Sequence, residues 1–385
     1  MAQQESIGTT GTRIKKEQLW QIPECLGQWR ALKGRFVILH VGSTSTFIGP
    51  LRKLIRSEFP QQDHRFWLIA AKDRHGIEKA SDVSIGENDF FRACKAYLEL
   101  ACRLHSAQKV ILHGLSNPRV VLLLALMPWL MPKCYWIIMG ADLYQYNRSK
   151  TSWRARLKEP FRRLVIRKVG HLVTYIEGDA ELARQWYGAK GTYHECIMYV
   201  SNVADPRLTA EVPRNIEKRG VNILLGNSAD PANNHIEVLE RLLLYKDQDI
   251  KIYAPLSYGG QSHAKEVIAQ GQEWFGDKFV PMMGFMPFEQ YLEFLKSLDI
   301  AIFNHQLQQA MGNTITLLGM GKTVFMRSDV SQWRFLDGLG IRLSDVKDLT
   351  LKPLEREDAQ KNARIVHLYF SRATLIKQLA DIFEG

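Results

Sequence analysis

Long apolar runs are missing from this chain. The longest, Val120 to Met131, spans 12 residues and contains Pro128, whereas a membrane-crossing helix needs about 20. No spanning segment is expected. The first 33 residues are polar and mixed in charge, without the apolar core of a secretory signal. Cysteine is scarce: five residues, at positions 25, 94, 102, 134 and 196, with no CxxC pair. That odd, scattered set argues against a disulfide framework and offers no metal site of the usual Cys/His spacing. No helix-turn-helix, zinc-finger or RNA-binding signature accompanies the net charge of +11, so nucleic acid is not expected as a partner. Fixed short repeats and low-complexity tracts are absent too. What remains is a globular protein expected in the cytoplasm, with 46% hydrophobic and 24% charged residues. At 385 residues it can bury two cores.

Those cores are legible as alternating apolar runs and helical patterns. After an extension at 1–33, with a short helix expected around Glu17 to Leu32, strands are expected at 36–41, 66–70, 109–113, 134–139 and 171–175. Polar residues cluster at their ends: His40-Val41-Gly42-Ser43, His113-Gly114, Gly140-Ala141-Asp142. Residues 201–220 are polar, with Pro206 and Pro213, and mark a boundary. A second alternation follows from 221 to 326, and 354–383 reads as one or two closing helices. The expected domains are 34–205, 206–350 and a helical 351–385. Strand–helix alternation of this kind gives parallel sheets covered on both faces, with ligands outside the carboxyl ends of the strands.

Two loops of the second half carry the most information. Phe303 to Met326 reads as a strand end, a polar loop closing on Gly312-Asn313-Thr314, an apolar helix and another strand. Val221 to Leu225 runs into Gly226-Asn227-Ser228-Ala229-Asp230 and then a helical pattern. Glycine before a helix start lets backbone N–H groups approach an anion, which the helix dipole favours. Either loop alone is also what an ordinary capped turn looks like. The pair suggests a diphosphate site.

The charge is concentrated. Arg148 to Lys168 contains nine Lys/Arg and one acid, Glu159, a net +8 in 21 residues. Trp153, Leu157, Phe161, Leu164 and Val165 recur there at helical spacing, giving one or two amphipathic helices broken near Pro160. A basic face beside an apolar one suits an anionic lipid surface, and Trp153, Arg154, Arg162 and Arg163 are the expected membrane or acceptor contacts. An ordinary helix with its apolar side in the core has the same pattern.

Four blocks, His113-Gly114-Leu115-Ser116-Asn117-Pro118, Gly140-Ala141-Asp142-Leu143-Tyr144, Leu225 to Asp230 with Asn234-His235-Ile236, and Gln308-Gln309 through Gly312, resemble the dTDP-4-acetamido-4,6-dideoxygalactose transferases, a 4-alpha-L-fucosyltransferase-like family. Those enzymes add the third sugar to a lipid-linked saccharide in enterobacterial common antigen synthesis. The similarity runs from about residue 36 to 380 in the same order. It implies a metal-independent GT-B glycosyltransferase: two tandem Rossmann-like domains around a central cleft, no cofactor, a dTDP- or UDP-sugar donor on the C-terminal domain and a polyprenyl-diphosphate-linked glycan as acceptor, at the inner face of the cell membrane. The chain departs from the family pattern at Met139, where a tryptophan is expected. It departs again at Gln309-Ala310-Met311-Gly312-Asn313, where the pattern is Gln-Gly-Ile-Gly-Thr.

Within that reading, Gly226, Asn227 and Ser228, with Gly312, Asn313 and Thr314, are expected on the diphosphate. Phe285 and Met286, in the loop after a strand, are expected at the base, and Tyr258 at the nucleoside or cleft edge. Asp142 and His113, at strand ends, are the candidates to take the acceptor's proton; Glu177 and Asp179 are weaker ones. Asp142 capping a turn and His113 as a satisfied core histidine are the plain alternatives. A nucleotide-sugar epimerase of the same fold, or a non-catalytic membrane-surface protein, would fit parts of the same pattern.

Overall fold

The computed structural model describes residues 36–69, 81–86, 90–147, 153–208 and 220–385. The helix expected before residue 33 lies outside them, as does 148–152 of the basic segment. The first sheet comprises β1 (Val37–Ser43), β2 (Asp63–Ile69), β3 (Val83–Gly86), β4 (Lys109–His113), β5 (Cys134–Ile137), β6 (His171–Val173) and β7 (Thr192–His194), in the order β3-β2-β1-β4-β5-β6-β7. The second comprises β8 (Val221–Leu225), β9 (Ile250–Pro255), β10 (Phe279–Met282), β11 (Ile300–Phe303), β12 (Thr323–Met326) and β13 (Ser344–Asp345), in the order β10-β9-β8-β11-β12-β13. Every neighbouring pair is parallel. Such strands are covered on both faces, and β4, β5, β11 and β12 are buried at every position.

The helices associated with the first sheet are α1 (Ile48–Glu58), α2 (Phe90–Ser106), α3 (Pro118–Leu126), α4 (Trp153–Lys168) and α5 (Glu177–Tyr187). Those of the second are α6 (His235–Leu242), α7 (Gln261–Phe275), α8 (Phe288–Ser297), α9 (Met311–Gly319) and α10 (Ser331–Gly338). Two closing helices follow, α11 (Arg356–Tyr369) and α12 (Arg372–Glu384). Local chemistry sets their ends. Asn117 caps α3 by accepting from the N–H groups of Arg119 and Val120, and Pro118 occupies the first turn, where its missing donor costs nothing. The apolar run does not continue as α-helix past Leu126, because Pro128 cannot donate into one; a 3₁₀ turn, Pro128–Lys133, replaces it. In α4 the outcome is opposite. Pro160 sits inside one continuous helix instead of dividing it.

Strand order reverses between β1 and β4 and between β8 and β11, which opens a crevice at each sheet's carboxyl edge. Glycines allow the chain through both. A Cβ on Gly42 would lie 2.9 Å from the Cβ of His113, and one on Gly226, at φ +68, would lie 2.7 Å from Nε2 of His235. The closing helices divide between the halves. The imidazole of His367 on α11 contacts the Gly319 carbonyl at 3.3 Å. The last helix returns to the first sheet, where the Lys109 ammonium donates to the carbonyls of Ile382 and Phe383 at 2.9 and 3.0 Å.

Candidate active site

The two sheets meet across a cleft of about 440 Å³, walled on one side by Phe47, Met139 and Tyr199 and on the other by Asn227, Tyr258, Gln309 and Asn313. Its C-terminal wall is built on α9. The residue before that helix, Ala310, is left-handed at φ +57 and its side chain makes no cap. The first intrahelical bond is the one from Thr314 N–H to the Ala310 carbonyl, at 2.8 Å. Met311, Gly312 and Asn313 thus present their N–H groups at an uncapped, electropositive helix end that borders the cleft. Gly312 lies within the first turn, not before it as expected. It is needed for close approach, since a Cβ there would stand 3.0 Å from the carbonyl oxygen of Ser201.

Expected donor-side residues separate into two sets. Asn227, Tyr258, Gly312 and Asn313 line the cleft. The Asn227 side-chain amide donates to the Tyr258 hydroxyl at 3.3 Å, and its Oδ1 and Gln309 Oε1 are buried without a protein partner. The others do not line it. Gly226 spends its N–H on the Ile302 carbonyl at 3.0 Å. Ser228 is buried beneath the loop, its hydroxyl oxygen accepting from Asp230 and Asn233. Thr314 is fully buried within α9. Phe285 is 89% exposed and, like Met286, stands off the cleft. The aromatic groups that do reach it come one turn later, Phe288 and Tyr291 on α8. Helical spacing concealed them, because a helix that packs on a sheet shows the same apolar stripe.

On the opposite wall, Asp142 does not face the cleft. It is fully buried, and both carboxylate oxygens are occupied: Oδ2 accepts from Leu115 N–H at 2.9 Å and the Trp136 indole at 2.7 Å, Oδ1 from Met139 N–H at 3.0 Å and Leu143 N–H at 2.9 Å. Four donors on one carboxylate make it the clamp of the Gly140 turn. His113 is also buried, but its Nδ1 lies 2.9 Å from the hydroxyl of Tyr199, a cleft residue. Burial holds its imidazole down at about 3, well below the ordinary histidine range, so it is neutral. Glu177 and Asp179 begin α5. Asp179 is fully buried and accepts a 2.6 Å hydrogen bond from Ser331 of the other half. Tyr199 itself escaped the sequence reading, since it sits past the last short strand in the apolar run Cys196 to Val200, where a tyrosine reads as core. A backbone signal marks its place: the preceding Met198 is left-handed at φ +70.

A second cavity of about 500 Å³ lies between α3 and α4, lined by Val121, Leu122, Lys158 and Phe161 among others. Beside it the expected apolar stripe is turned outward. Trp153 is 67% exposed, Leu157 65%, Phe161 42% and Leu164 37%, while Val165 and Ile166 fill the core. The basic residues are less uniform. Arg162 is buried and donates to the Asp142 carbonyl at 3.1 Å, so it is a structural group. Arg163 donates to the Trp186 carbonyl at 2.8 Å and lies over the rings of Tyr146 and Tyr187. The side chain of Arg154 is outside the described residues. Among the described residues, no helix is long and apolar enough to cross a membrane.

Comparison with known proteins agrees with this architecture. The crystal structure of Anabaena Alr3699/HepE in complex with UDP-glucose is 12% identical, with 91% of this chain and 100% of that one covered and a TM-score of 0.64. WaaG, a glycosyltransferase involved in lipopolysaccharide biosynthesis, is 12% identical, with 91% and 100% covered and a TM-score of 0.60. Sucrose-phosphate synthase from Thermosynechococcus elongatus is 11% identical, with 91% and 98% covered and a TM-score of 0.60. At these identities the likeness establishes the fold, two Rossmann-like domains in the GT-B arrangement. The model of the 4-alpha-L-fucosyltransferase family, glycosyl transferase group 56, matches residues 45–343. The chain therefore belongs to glycosyl transferase group 56 and is a glycosyltransferase of the GT-B fold.

Proposed function

We propose that this enzyme moves a deoxyamino-sugar, or a related hexose, from a dTDP- or UDP-sugar to a polyprenyl-diphosphate-linked glycan at the inner face of the cell membrane. The uncapped start of α9 carries the donor side of this reading. Its first N–H groups, with Asn227 and Asn313 beside them, suit a departing nucleoside diphosphate that gathers charge as the glycosidic bond breaks. Tyr258 closes the cleft edge, and Phe288 or Tyr291, not Phe285 or Met286, flanks the base. Gly226 and Ser228 hold the first loop from below, and the Thr314 N–H closes the first turn of α9 on the Ala310 carbonyl. On the acceptor side, the outward apolar stripe of α4 with exposed Arg156, Lys158, Arg167 and Lys168 suits an anionic bilayer surface, where a lipid-linked acceptor would lie. A thermal-shift screen with dTDP, UDP and GDP tests the donor site. A stabilising nucleotide should lose about 1.5–3 kcal/mol of binding in Asn227→Ala and in Asn313→Ala, the worth of a hydrogen bond to a charged group. Unchanged dissociation constants in both variants remove the assignment.

A further inference from the structure

A row of six side chains runs from the cleft to the far surface of the first domain. The Tyr199 hydroxyl meets His113 Nδ1 at 2.9 Å, His113 Nε2 meets His40 Nδ1 at 3.0 Å, and His40 Nε2 meets His64 Nδ1 at 2.9 Å. His64 Nε2 then meets Gln62 Oε1 at 3.0 Å, and the Gln62 amide donates to Glu384 of α12 at 3.3 Å. His40, His64 and His113 are all buried. The rings are also packed in place: His40 stacks on Phe66 at 4.4 Å between centroids, and Phe383 stands edge-on to His64 at 4.6 Å. His64 and His113 contact opposite nitrogens of His40, so the three imidazoles form a line and do not converge on one point.

The direction of every hydrogen in this row follows from its outer end. The Glu384 carboxylate only accepts, so the Gln62 NH₂ group faces it and Gln62 Oε1 faces His64. That oxygen also only accepts, so His64 carries its proton on Nε2 and offers Nδ1 as an acceptor. The same step repeats at His40 and at His113, because a neutral imidazole has one donor and one acceptor. Neutrality is secured by burial, which lowers all three below the ordinary histidine range: His64 to about 4, against the opposing pull of Asp63, His113 to about 3, and His40 well below as well, aided by its two histidine neighbours. The last acceptor, His113 Nδ1, takes the Tyr199 hydrogen.

We infer that the Glu384–Gln62–His64–His40–His113 row is a tautomer lock that points the Tyr199 hydrogen into the domain and leaves the phenol oxygen as an acceptor toward the cleft, where it orients the hydroxyl of the attacking sugar. Tyr199 is the group that touches substrate; the histidines are positioning residues. No proton is exported through the row. It fixes which end of each bond holds the hydrogen, and mutually polarised hydrogen bonds strengthen that order. The inference rests on the transferase reading for the identity of the hydroxyl, but the hydrogen order is independent of it.

The test begins with imidazole nitrogen NMR on the whole protein at neutral pH. Nε2–H tautomers are expected for His40, His64 and His113; an Nδ1–H tautomer at His113 overturns the lock. Glu384→Lys, at an exposed site, puts a donor where the acceptor was. The Gln62 amide must then turn over, and the three histidines should switch to Nδ1–H together with the fold intact. An unchanged His113 tautomer in that variant overturns the coupling. With a donor identified by the nucleotide screen, Tyr199→Phe and Glu384→Lys should each lower kcat tenfold or more while donor KM stays within twofold, a split that a merely structural role would not give. Full turnover in Tyr199→Phe refutes the role at the substrate. Absence of any transfer by the unaltered protein refutes the transferase reading instead, and the tautomers still report on the lock.

Discussion

Gly140 and Gln308 touch across the two halves of the enzyme: a Cβ at Gly140 would sit 2.6 Å from the Gln308 carbonyl oxygen, and Gly140 is left-handed at φ +75. The two residues are 168 positions apart in sequence, by subtraction of their numbers. Each belongs to a different one of the blocks named above, so their contact joins the two blocks in space. The turn after β5 is shaped to let the loop after β11 lie against it, and cleft width follows from that approach.

Gly140→Ala should therefore cost stability twice, through the strained φ and through the clash. A loss of about 2–4 kcal/mol is expected from such combined backbone strain and overpacking. Urea unfolding followed by fluorescence measures it. A variant as stable as the parent would show that the halves separate freely at this point.

Asp142→Asn should act on folding before it acts on catalysis. An amide NH₂ placed at either carboxylate oxygen would face two N–H donors. Losing hydrogen bonds to a charged acceptor costs about 1.5–3 kcal/mol each, so a total of about 3 kcal/mol or more is expected. A melting temperature matching the parent's, with transfer abolished, would instead return Asp142 to the chemistry.

Stability should also depend on pH through Asp179. Burial, with the Asp142 charge adding to it, raises its carboxyl to about 7 against the outweighed donors Ser331 and Tyr144. The folded protein thus holds a proton that the unfolded chain releases near the ordinary carboxyl value of 3.8. The contribution is fully present below pH ~4 and is lost as pH rises to ~7. Asp179→Asn removes this slope, so its stability relative to the parent should improve across that window, by on the order of a few kcal/mol. Parallel pH profiles for the two proteins would contradict the assignment.

Membrane binding is the fourth expectation, and the structure changes how it is tested. Arg162 is unsuitable for charge reversal, because it is buried against the Asp142 turn. Arg156, Lys158 and Arg167 are exposed on α4, and reversing all three to glutamate should release the protein from anionic vesicles without unfolding it. Salt should weaken binding strongly but not wholly, because burial of Trp153 and Leu157 is not screened. If the parent protein ignores anionic vesicles at low ionic strength, α4 is only a solvated helix.

The fold was legible because parallel strands are written as short continuous apolar runs. β4, β5, β11 and β12 appear in the sequence almost at their observed bounds. β3 (Val83–Gly86), β7 (Thr192–His194) and β13 (Ser344–Asp345) escaped because none of them is a continuous apolar run. The site was half legible. Loop position identifies Asn227 and Asn313, but nothing in a single sequence separates a loop residue that lines a cleft from one that supports the loop, as Ser228 does. Asp142 misled for that reason: a carboxylate at a strand end serves equally as a base and as a clamp. Ala310 is a case where the departure from the family pattern gains meaning only in three dimensions. The pattern has glycine there, the backbone is left-handed at φ +57, and alanine holds it under strain.

The return of α12 to the first sheet carries a consequence for synthesis. Lys109 finds its partner at Ile382, 273 residues later in the chain. At the ~5–20 residues per second of ribosomal elongation, that interval lasts roughly 15–50 s. During it, the surface of Phe59 and His64 that Phe383 covers stays open to water. The first domain therefore emerges with one wall unfinished, and a nascent chain stalled before the final helix would present that wall to chaperones or to its neighbours on the same message.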